Sequence, residues 1–338
     1  MPFKVKINKN DIIEVETGNT ILEAALENSI DFPHGCRSGN CGACKSKLIS
    51  GDIEMSPYSE FALEEEDKEK GYILACRTVP WSDCEILVEN ENKLSTNKII
   101  EFETTVKKIK KINKDVYIVN LSSKKLINNF QFYAGQYAEL TFGNLPERHF
   151  SMANTPEAKD IEFHIKVLNN GETSKYIKNK LKLNEKVKIK GPYGNAFLRT
   201  DHKGPIIAIA GGTGLAPILS ITRSSIVNKM KQSIKIYYGA QTEKDLYFVN
   251  VFKDITKENK NVEFHTIVNK VGDKPNLRKG NVTDAVIEDI EDFDGYKAYL
   301  AGPPKMVETA EELLISLGIR KNDIHSDAFY NFYEEIKG

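Results

Sequence analysis

Long apolar runs are missing from this sequence of 338 residues. No stretch of about eighteen consecutive apolar residues occurs, so no segment has the pattern of a membrane-spanning helix. The segment 1–7 alternates as in a strand and lacks the apolar core of a secretory signal. Hydrophobic residues make up 40% of the chain, which is enough for cores in several domains. We therefore expect a cytoplasmic protein of two or three domains.

Cysteine is scarce, with five residues in the chain. Two separated C-x2-C pairs, the usual pattern of a structural zinc site, do not occur. A disulfide framework is not expected in a chain of this length without a secretory signal. A zinc site and disulfides are therefore the weaker alternatives for the cysteines that are present.

Three of the cysteines lie in one glycine-rich loop, and a fourth follows about thirty residues later. The spacing C-x4-C-x2-C with a distant cysteine is typical of a plant-type 2Fe-2S cluster. Glycines in the loop allow backbone N–H groups to approach the cluster sulfurs. The fifth cysteine, Cys84, is expected to pack as a small apolar side chain. The predicted cluster ligands are Cys36, Cys41, Cys44 and Cys76.

The net charge of −1 hides an asymmetry between two parts of the chain. Residues 1–92 contain 9 Lys and Arg against 18 Asp and Glu, a net charge of −9, and the remainder contains 38 against 30, a net charge of +8. Opposite charges predict docking between the two parts or steering of a charged partner. The opposite charges are explained equally well if both parts simply have charged surfaces that are exposed to solvent. The basic part has no aromatic-interleaved patch, so nucleic-acid binding is not expected.

Residues 1–92 have the pattern of a β-grasp domain. A hairpin is predicted over 3–15, and Thr20 is expected to cap a helix that ends near Asn28. An acidic run in the next helix is either a solvated face or a docking surface. The remaining strands are predicted over 47–49, 72–75 and 84–88, and the charged helix is predicted over 63–70.

The rest of the chain predicts two further domains after a polar linker at 89–97. Short β-type runs separated by turn residues indicate an antiparallel β-barrel in residues 100–200. These runs cover 106–112, 116–121, 137–142 and 161–168. Alternating strands and helices then indicate a doubly wound parallel sheet in residues 204–338. Its strands are expected at 206–210, 234–238, 262–268 and 298–300, and its helices at 217–227 and 246–256. The fold class is therefore multidomain α+β and α/β.

Three segments carry a family resemblance: Thr20–Leu26, the cysteine loop and Leu74–Arg77. They resemble the plant-type 2Fe-2S ferredoxin domain that is fused to a ferredoxin-NADP-reductase-like module. Such fusions include the reductase components of oxygenases and the CDP-6-deoxy-glucoseen reductases of deoxysugar synthesis. The resemblance extends over nearly the whole chain. It implies a 2Fe-2S cluster, FAD, a nicotinamide coenzyme and an electron-acceptor protein, without nucleic acid or membrane.

Arg148-His149-Phe150-Ser151 resembles the Arg-x-Tyr-Ser motif of the flavin domain in this family. The resemblance implies that Arg148 and Ser151 bind the FAD pyrophosphate, for which a forked cation is well suited. It also implies that Phe150 lies against the isoalloxazine ring. Phenylalanine keeps the ring of the usual tyrosine but lacks its hydroxyl, so one hydrogen bond to the flavin has no donor here.

The helix N-terminus that begins at Gly171 resembles the second phosphate-binding element of the family. The expected contributors are Gly171, Thr173 and Ser174, although an ordinary helix cap has the same pattern. His164 and Lys166 lie two apart on one strand face and match the family segment beside the flavin. The alternative for His164 is a structural role, in which the ring is buried and both nitrogens form hydrogen bonds within the protein.

The segment from Gly211 to Pro217 departs from the G-x-G-x-x-G pattern but is expected to have the same structural role. It lets a backbone approach a pyrophosphate at a helix N-terminus. It resembles the family's Gly-Thr-Gly-x-Ala-Pro coenzyme site, which implies that Thr213 lies near the nicotinamide and the flavin. The expected coenzyme-binding residues are Gly211, Gly212, Thr213, Gly214 and Pro217.

Gly239 and Gln241 follow the next predicted strand in a segment that often reads Tyr-Gly-x-Arg in the family and contacts the adenosine ribose. Gln241 replaces the arginine, which removes the obvious partner of a 2′-phosphate. This replacement favours NADH. NADPH is the alternative coenzyme, with Lys244 or Arg223 as the cation that binds its 2′-phosphate.

Ala301, Gly302 and Pro303 match the family's Cys-Gly-Pro-Pro-x-Met loop, with alanine in place of the cysteine near the nicotinamide C4. The C-terminal segment resembles the family's aromatic tail, so Phe329 is expected over the flavin, with ordinary packing as the alternative. The resemblance thus implies a hydride-transfer site at Thr213, Ala301 and Phe329.

The expected function is electron transfer from NADH through FAD and the 2Fe-2S cluster to a partner protein. An oxygenase component is the expected partner, and a sugar-nucleotide dehydratase is the alternative. A non-catalytic iron-sulfur sensor is the alternative from another class of protein.

Overall fold

The computed structural model of the chain describes residues 2–8, 11–28, 30, 32–34, 37, 39, 42–59, 62–88, 97–123, 129–270 and 277–330. The chain divides into two units. The first comprises residues 1–96, 193–195 and 328–338, and the second comprises 97–192 and 196–327. Within the described ranges, no helix is long and apolar enough to cross a membrane.

The first unit is built on a five-stranded mixed sheet in the order β2-β1-β7-β3-β5, with a two-stranded sheet of β4 and β6. β1 and β2 form an antiparallel hairpin, and β7 runs parallel to β1. This arrangement is the predicted β-grasp. Its strands are β1 (Phe3–Ile7), β2 (Asp11–Val15), β3 (Lys45–Ser50), β4 (Ile53–Met55), β5 (Tyr72–Leu74), β6 (Thr78–Pro80) and β7 (Cys84–Leu87), and its helices are α1 (Ile21–Glu27) and α2 (Glu65–Glu69).

Helix α1 begins where the sequence predicts. The Thr20 hydroxyl accepts from the Glu23 N–H, and the Glu23 carboxylate accepts from the Thr20 N–H, which completes a capping box. Helix α2 is shorter than predicted and buries none of its residues, so only the charged turn is helical. Cys84 lies in the apolar core of this unit, as expected.

The first half of the second unit is a six-stranded antiparallel sheet in the order β11-β10-β13-β8-β9-β12. A bridge between Met152, just after β11, and Phe163 in β12 joins the two edges, so the sheet nearly closes into the predicted barrel. Its elements are β8 (Ile100–Lys111), β9 (Val116–Ser122), β10 (Tyr137–Phe142), β11 (Arg148–Ser151), β12 (Ile161–Lys166), β13 (Lys186–Tyr193) and α3 (Glu172–Asn179).

The second half of this unit is a six-stranded sheet in the order β17-β16-β15-β14-β18-β19. β14 lies in the middle and runs parallel to β15 on one side and to β18 on the other. Its strands are β14 (Ile206–Gly211), β15 (Ile234–Thr242), β16 (Val262–Lys270), β17 (Arg278–Lys279), β18 (Lys297–Gly302) and β19 (Ile324–Ala328), and its helices are α4 (Leu215–Val227), α5 (Val249–Glu258), α6 (Val282–Asp289) and α7 (Pro304–Ser316). Short 3-10 turns occupy Gly212–Gly214, Glu243–Asp245 and Lys321–Asp323.

The chain leaves β14 toward β15 and later returns to its other side at β18. This reversal of strand order opens a crevice at the carboxyl ends of β14 and β18, where open parallel sheets bind ligands. The barrel and the sheet also share a core, because Val116, Ala134 and Leu198 of the barrel pack with the residues of β14 and α4. The two halves therefore form a single unit.

In the second unit, the starts of two predicted elements differ by three residues or more from the sequence prediction. Helix α5 begins at Val249 rather than at 246, because Phe248 adopts a left-handed conformation with φ +57°. Strand β8 begins at Ile100, six residues before the predicted run. The predicted linker over 89–96 lies outside the described residues.

Candidate active site and cofactor-binding residues

Two of the four predicted cluster ligands, Cys44 and Cys76, belong to the described residues, and Cys36 and Cys41 lie outside them. Both described cysteines are buried and neither forms a disulfide. β3 pairs with β5 next to them, and the Ala75 N–H donates to the Cys44 carbonyl at 3.2 Å. The two thiols therefore lie at the same end of two paired strands. Within the described ranges, which lack the other two cysteines, no group of three potential metal ligands occurs.

Glycine is required in this loop by the space around it. Gly39 and Gly42 have φ of +79° and +69°, in the left-handed region. A Cβ at Gly42 would lie 2.8 Å from the carbonyl oxygen of Ala62, and one at Gly39 would lie 2.8 Å from Cγ of Arg77. The backbone is thus held close to its surroundings, as a cluster with N–H donors around it requires. The buried thiols, which form no disulfide, and the glycines fit a 2Fe-2S cluster.

The arginine motif occupies the edge strand β11. Leu140 pairs with Arg148 and Ala138 pairs with Phe150 across β10 and β11. The Arg148 guanidinium donates one hydrogen bond to the Glu147 carbonyl at 2.8 Å. Phe150 is half-buried and packs against the barrel core. The strand therefore places the cation and the aromatic ring two residues apart on one face.

Ser151 contacts a residue for which the sequence offered no role. Its hydroxyl donates to the Asp327 carboxylate at 3.2 Å, across 176 residues of chain. Burial raises the pKa of Asp327 to about 6, although the Ser151 hydrogen bond and the charge of His149 oppose the rise. Asp327 is therefore partly protonated near neutral pH. No local pattern in the sequence identifies such a distant pair.

The N-terminus of α3 has the properties of an anion site. Gly171 supplies no side-chain cap, and the Thr173 hydroxyl is buried without a hydrogen-bond partner among the described residues. Ser174 Oγ accepts from the Leu168 N–H at 2.9 Å, which leaves its own O–H as a donor. Two hydroxyl donors next to the first turn of a helix fit a phosphate group. The segment thus fits the FAD pyrophosphate.

His164 and Lys166 lie on β12 with different environments. Lys166 is exposed at the end of the strand. His164 is 3% exposed, and its Nδ1 and Nε2 lie 3.0 Å from the Tyr247 hydroxyl and 3.2 Å from Glu162 Oε1. Both ring nitrogens therefore have protein partners, as the alternative of a buried, satisfied histidine describes.

Two glycine-containing loops meet at the crevice between β14 and β18. A Cβ at Gly214 would lie 2.0 Å from the Ala301 carbonyl oxygen. Gly302 has φ +140°, and its Cβ would lie 2.7 Å from the Gly211 carbonyl oxygen. The Gly212–Gly214 turn and the end of β18 are therefore in backbone contact, which only glycine allows. The same turn lies against β12 of the barrel.

The structure brings most of the predicted coenzyme residues to this crevice. Thr213 is the middle residue of the turn that leads into α4, whose third residue is the buried Pro217. Gly212 has open space around it, with φ +55°. Pro303 stands at the N-terminus of α7, and a Cβ at Gly211 would lie 2.7 Å from its ring. The same Cβ would lie 2.6 Å from the sulfur of Met306, so the side chains of Pro303 and Met306 leave no room for a side chain at Gly211.

Gly239 lies beside Gly211 in the neighbouring strand, and Gln241 is exposed two residues later. A Cβ at Gly239 would lie 2.5 Å from Val282 of α6, so helix packing accounts for this glycine. Phe329 is half-buried and belongs to the first unit. Its expected position over the flavin stays a prediction.

A barrel with an arginine motif, a glycine-lined parallel sheet and a β-grasp with buried thiols, in one chain, define a flavin- and iron-sulfur-dependent reductase. Three family models match the chain in this order. They are the 2Fe-2S iron-sulfur cluster binding domain over residues 5–80, the oxidoreductase FAD-binding domain over 103–197 and the oxidoreductase NAD-binding domain over 208–312.

Relatives cover the whole length of the chain. The reductase component of the naphthalene 1,2-dioxygenase system of Pseudomonas putida is 32% identical, over 95% of this chain and 96% of the relative. The propane 2-monooxygenase reductase component of Rhodococcus jostii is 33% identical, over 96% and 91%. The crystal structure of the Amycolatopsis cytochrome P450 reductase GcoB is 30% identical, with a TM-score of 0.82 over 97% of this chain and 98% of that one.

The chain belongs to the family of oxygenase reductase components with a ferredoxin-NADP-reductase-like fold. It is an NAD(P)H-dependent oxidoreductase that uses FAD and a 2Fe-2S cluster for electron transfer to a protein acceptor. The fold, the cofactors and the reaction class expected from the sequence are thereby confirmed.

Proposed function

We propose that this chain is the NADH-dependent reductase component of an oxygenase system. The observation that supports this most is the backbone contact between the Gly212–Gly214 turn and the end of β18, at a crevice that borders the flavin barrel. The names of the relatives, which are reductase components of dioxygenase and monooxygenase systems, support the oxygenase as acceptor. A sugar-nucleotide dehydratase is the alternative acceptor.

Each cofactor has a proposed set of residues. The cluster is held by Cys36, Cys41, Cys44 and Cys76. FAD is bound by Arg148, Phe150, Ser151, Lys166, Gly171, Thr173 and Ser174. The coenzyme is bound by Gly211, Gly212, Thr213, Gly214, Pro217, Gly239, Gln241, Gly302 and Pro303, with Thr213, Ala301 and Phe329 closest to the hydride path.

Bound FAD accepts a hydride and releases single electrons, which is the conversion that an NADH-to-cluster transfer needs. The chain's own contribution is to bind and orient. Arg148 and the α3 N-terminus hold phosphate charge, and the glycine loops allow a nucleotide to lie against the backbone. No side chain has to act as an acid or base for the hydride step.

NADH is the proposed coenzyme because Gln241 carries no charge to pair with a 2′-phosphate. We further propose a cytoplasmic location, which suits Cys44 and Cys76, because neither forms a disulfide. The proposed domain boundaries are 1–92, 100–200 and 204–338.

Full-length Cys44→Ser tests the order of electron transfer. Loss of one thiolate should remove the cluster but leave the flavin and coenzyme sites, because Cys44 lies in the other unit. NADH-dependent reduction of ferricyanide, which takes electrons from the flavin, should continue, and cytochrome c reduction should fall to a small fraction. Cys84→Ser is the matched control and should keep both activities. Equal loss of both activities in Cys44→Ser, or loss of neither, would contradict the proposed path.

A further inference from the structure

A buried polar chain links the flavin barrel to the loop that follows β15. Glu162 Oε1 lies 3.2 Å from His164 Nε2, and His164 Nδ1 lies 3.0 Å from the Tyr247 hydroxyl. Arg223 and Asn120 also donate to the Glu162 carboxylate, at 3.5 Å and 3.4 Å. His164 and Tyr247 are 3% and 4% exposed, so water does not replace these bonds.

The partners fix the direction of every hydrogen bond. Burial tends to raise the pKa of Glu162, but the hydrogen bond from His164 and the charge of Arg223 lower it below its usual value, so the group is a carboxylate and can only accept. Burial lowers the pKa of His164, which favours the neutral ring at neutral pH. His164 Nε2 therefore carries the proton, Nδ1 accepts, and the Tyr247 hydroxyl donates.

The same histidine ring supports the next residue of the loop. Phe248 packs edge-on against it, with ring centroids 4.9 Å apart. Phe248 has φ +57°, which is uncommon for a side chain of this size and is maintained only where the surroundings hold it. The His164 ring thus contacts both residues at which the chain turns from the loop into α5.

Further barrel contacts hold the beginning of this loop. The Asn113 side chain donates to the Asp245 carbonyl at 3.3 Å, and Lys114 lies 3.3 Å from the Asp245 carboxylate. The Thr242 hydroxyl donates to the Asp245 carboxylate at 2.7 Å, which caps the 3-10 turn over 243–245. Gln241, the proposed contact of the adenosine ribose, immediately precedes Thr242. The loop that begins at the coenzyme site is therefore shaped by the flavin barrel.

We infer that His164 is a positioning residue that holds the loop over 241–248 in the shape that receives the adenosine half of the coenzyme. This inference rests on the proposed coenzyme site. His164 acts through Tyr247 and Phe248 rather than by contact with either cofactor. When the loop also adopts other shapes, the apparent affinity for the coenzyme falls in proportion to the fraction of molecules that hold the binding shape.

Tyr247→Phe tests this role with the loss of one oxygen. A net hydrogen bond corresponds to about a two- to tenfold change in an equilibrium constant. The dissociation constant of NAD+ for the FAD-loaded protein, measured by calorimetry, should therefore rise about fivefold. Amide hydrogen exchange over 243–248 should become faster. The FAD content should stay at the parent level.

Two further variants separate positioning from general stability. Tyr299→Phe is the matched control, because it also removes one hydrogen-bonded, buried tyrosine hydroxyl, which accepts from the Arg199 N–H at 2.8 Å, with both residues outside the 241–248 loop. It should leave NAD+ affinity unchanged. His164→Asn keeps an acceptor for Tyr247 and should bind NAD+ more tightly than His164→Leu, which removes both bonds.

Unchanged NAD+ affinity and hydrogen exchange in Tyr247→Phe would overturn the inference, even if the melting temperature fell. An equal loss of affinity in Tyr299→Phe would also overturn it. If the parent protein itself bound no NAD+, the proposed function would be wrong. The two failures are therefore distinguishable.

Discussion

Replacing Gly214 with alanine tests whether the two glycine loops must touch. A Cβ at this position would lie 2.0 Å from the Ala301 carbonyl oxygen and 2.4 Å from its carbonyl carbon. Real Cβ atoms essentially never lie within 3.0 Å of such an atom, so one loop has to move by about 1 Å. Both atoms belong to the backbone of β18, which is paired with β14 and cannot rotate away.

The expected cost is at the upper end of that for overpacking a core, about 3 kcal/mol in the free energy of unfolding. Separation of the loops should also raise the dissociation constant of NAD+ by at least about tenfold, or 1.4 kcal/mol. Gly212→Ala is the matched control two residues earlier. Its Cβ would meet nothing within 4 Å, so only the φ of +55° costs energy, about 1 kcal/mol.

Urea unfolding of the FAD-loaded proteins, followed by circular dichroism, gives the stability difference, and calorimetry gives NAD+ affinity. The reasoning predicts that Gly214→Ala loses more of both than Gly212→Ala. Equal stability of the two variants, or full NAD+ affinity in Gly214→Ala, would refute the proposed contact between the loops.

Further predictions concern each cofactor and the pH dependence. Serine at any of Cys36, Cys41, Cys44 or Cys76 should abolish the cluster, measured as iron and sulfide per chain, while Cys84→Ser should retain it. Acid release should yield FAD rather than FMN, and Arg148→Ala should lose most of it; full occupancy would place the flavin elsewhere. NADH should exceed NADPH in kcat/KM by more than about tenfold, because a charge-assisted contact is worth about 1.5 to 3 kcal/mol; the reverse preference would show that another cation binds the phosphate. The Asp327 pKa is raised from 3.8 to about 6, so the folded protein holds this proton more tightly than the unfolded chain and loses stability as pH rises through that range. Asp327→Asn should therefore gain about 3 kcal/mol relative to the parent at pH 7.5 and little at pH 4, and an equal difference at both values would contradict this cause.

Local features of the fold were predictable because their causes are local. Thr20 with Glu23 three residues later is a complete capping signal, and the structure has that capping box. The glycines at 211, 214 and 302 were singled out by the family resemblance as coenzyme-binding residues, which stays a prediction, and the structure shows that at these positions the surroundings leave no room for a side chain. The alternation of strands and helices likewise indicated the parallel sheet.

Pairs that are distant in the sequence could not be predicted. Ser151 and Asp327 are 176 residues apart, and His164 and Tyr247 are 83 apart, so no periodic pattern connects them. The start of α5 was also missed. The apolar residues before Val249 continue a helical period, but the left-handed Phe248, packed against His164, ends it. Tertiary contacts decided that boundary.

Anaerobic titration of the FAD-loaded, cluster-containing protein with NADH tests the central claim most directly. Flavin and cluster absorbances are followed together, and Cys44→Ser provides the spectrum of the flavin alone. The proposed path predicts that NADH bleaches both chromophores of the parent protein. Bleaching of the flavin while the cluster stays oxidised, or no bleaching of either, would contradict it.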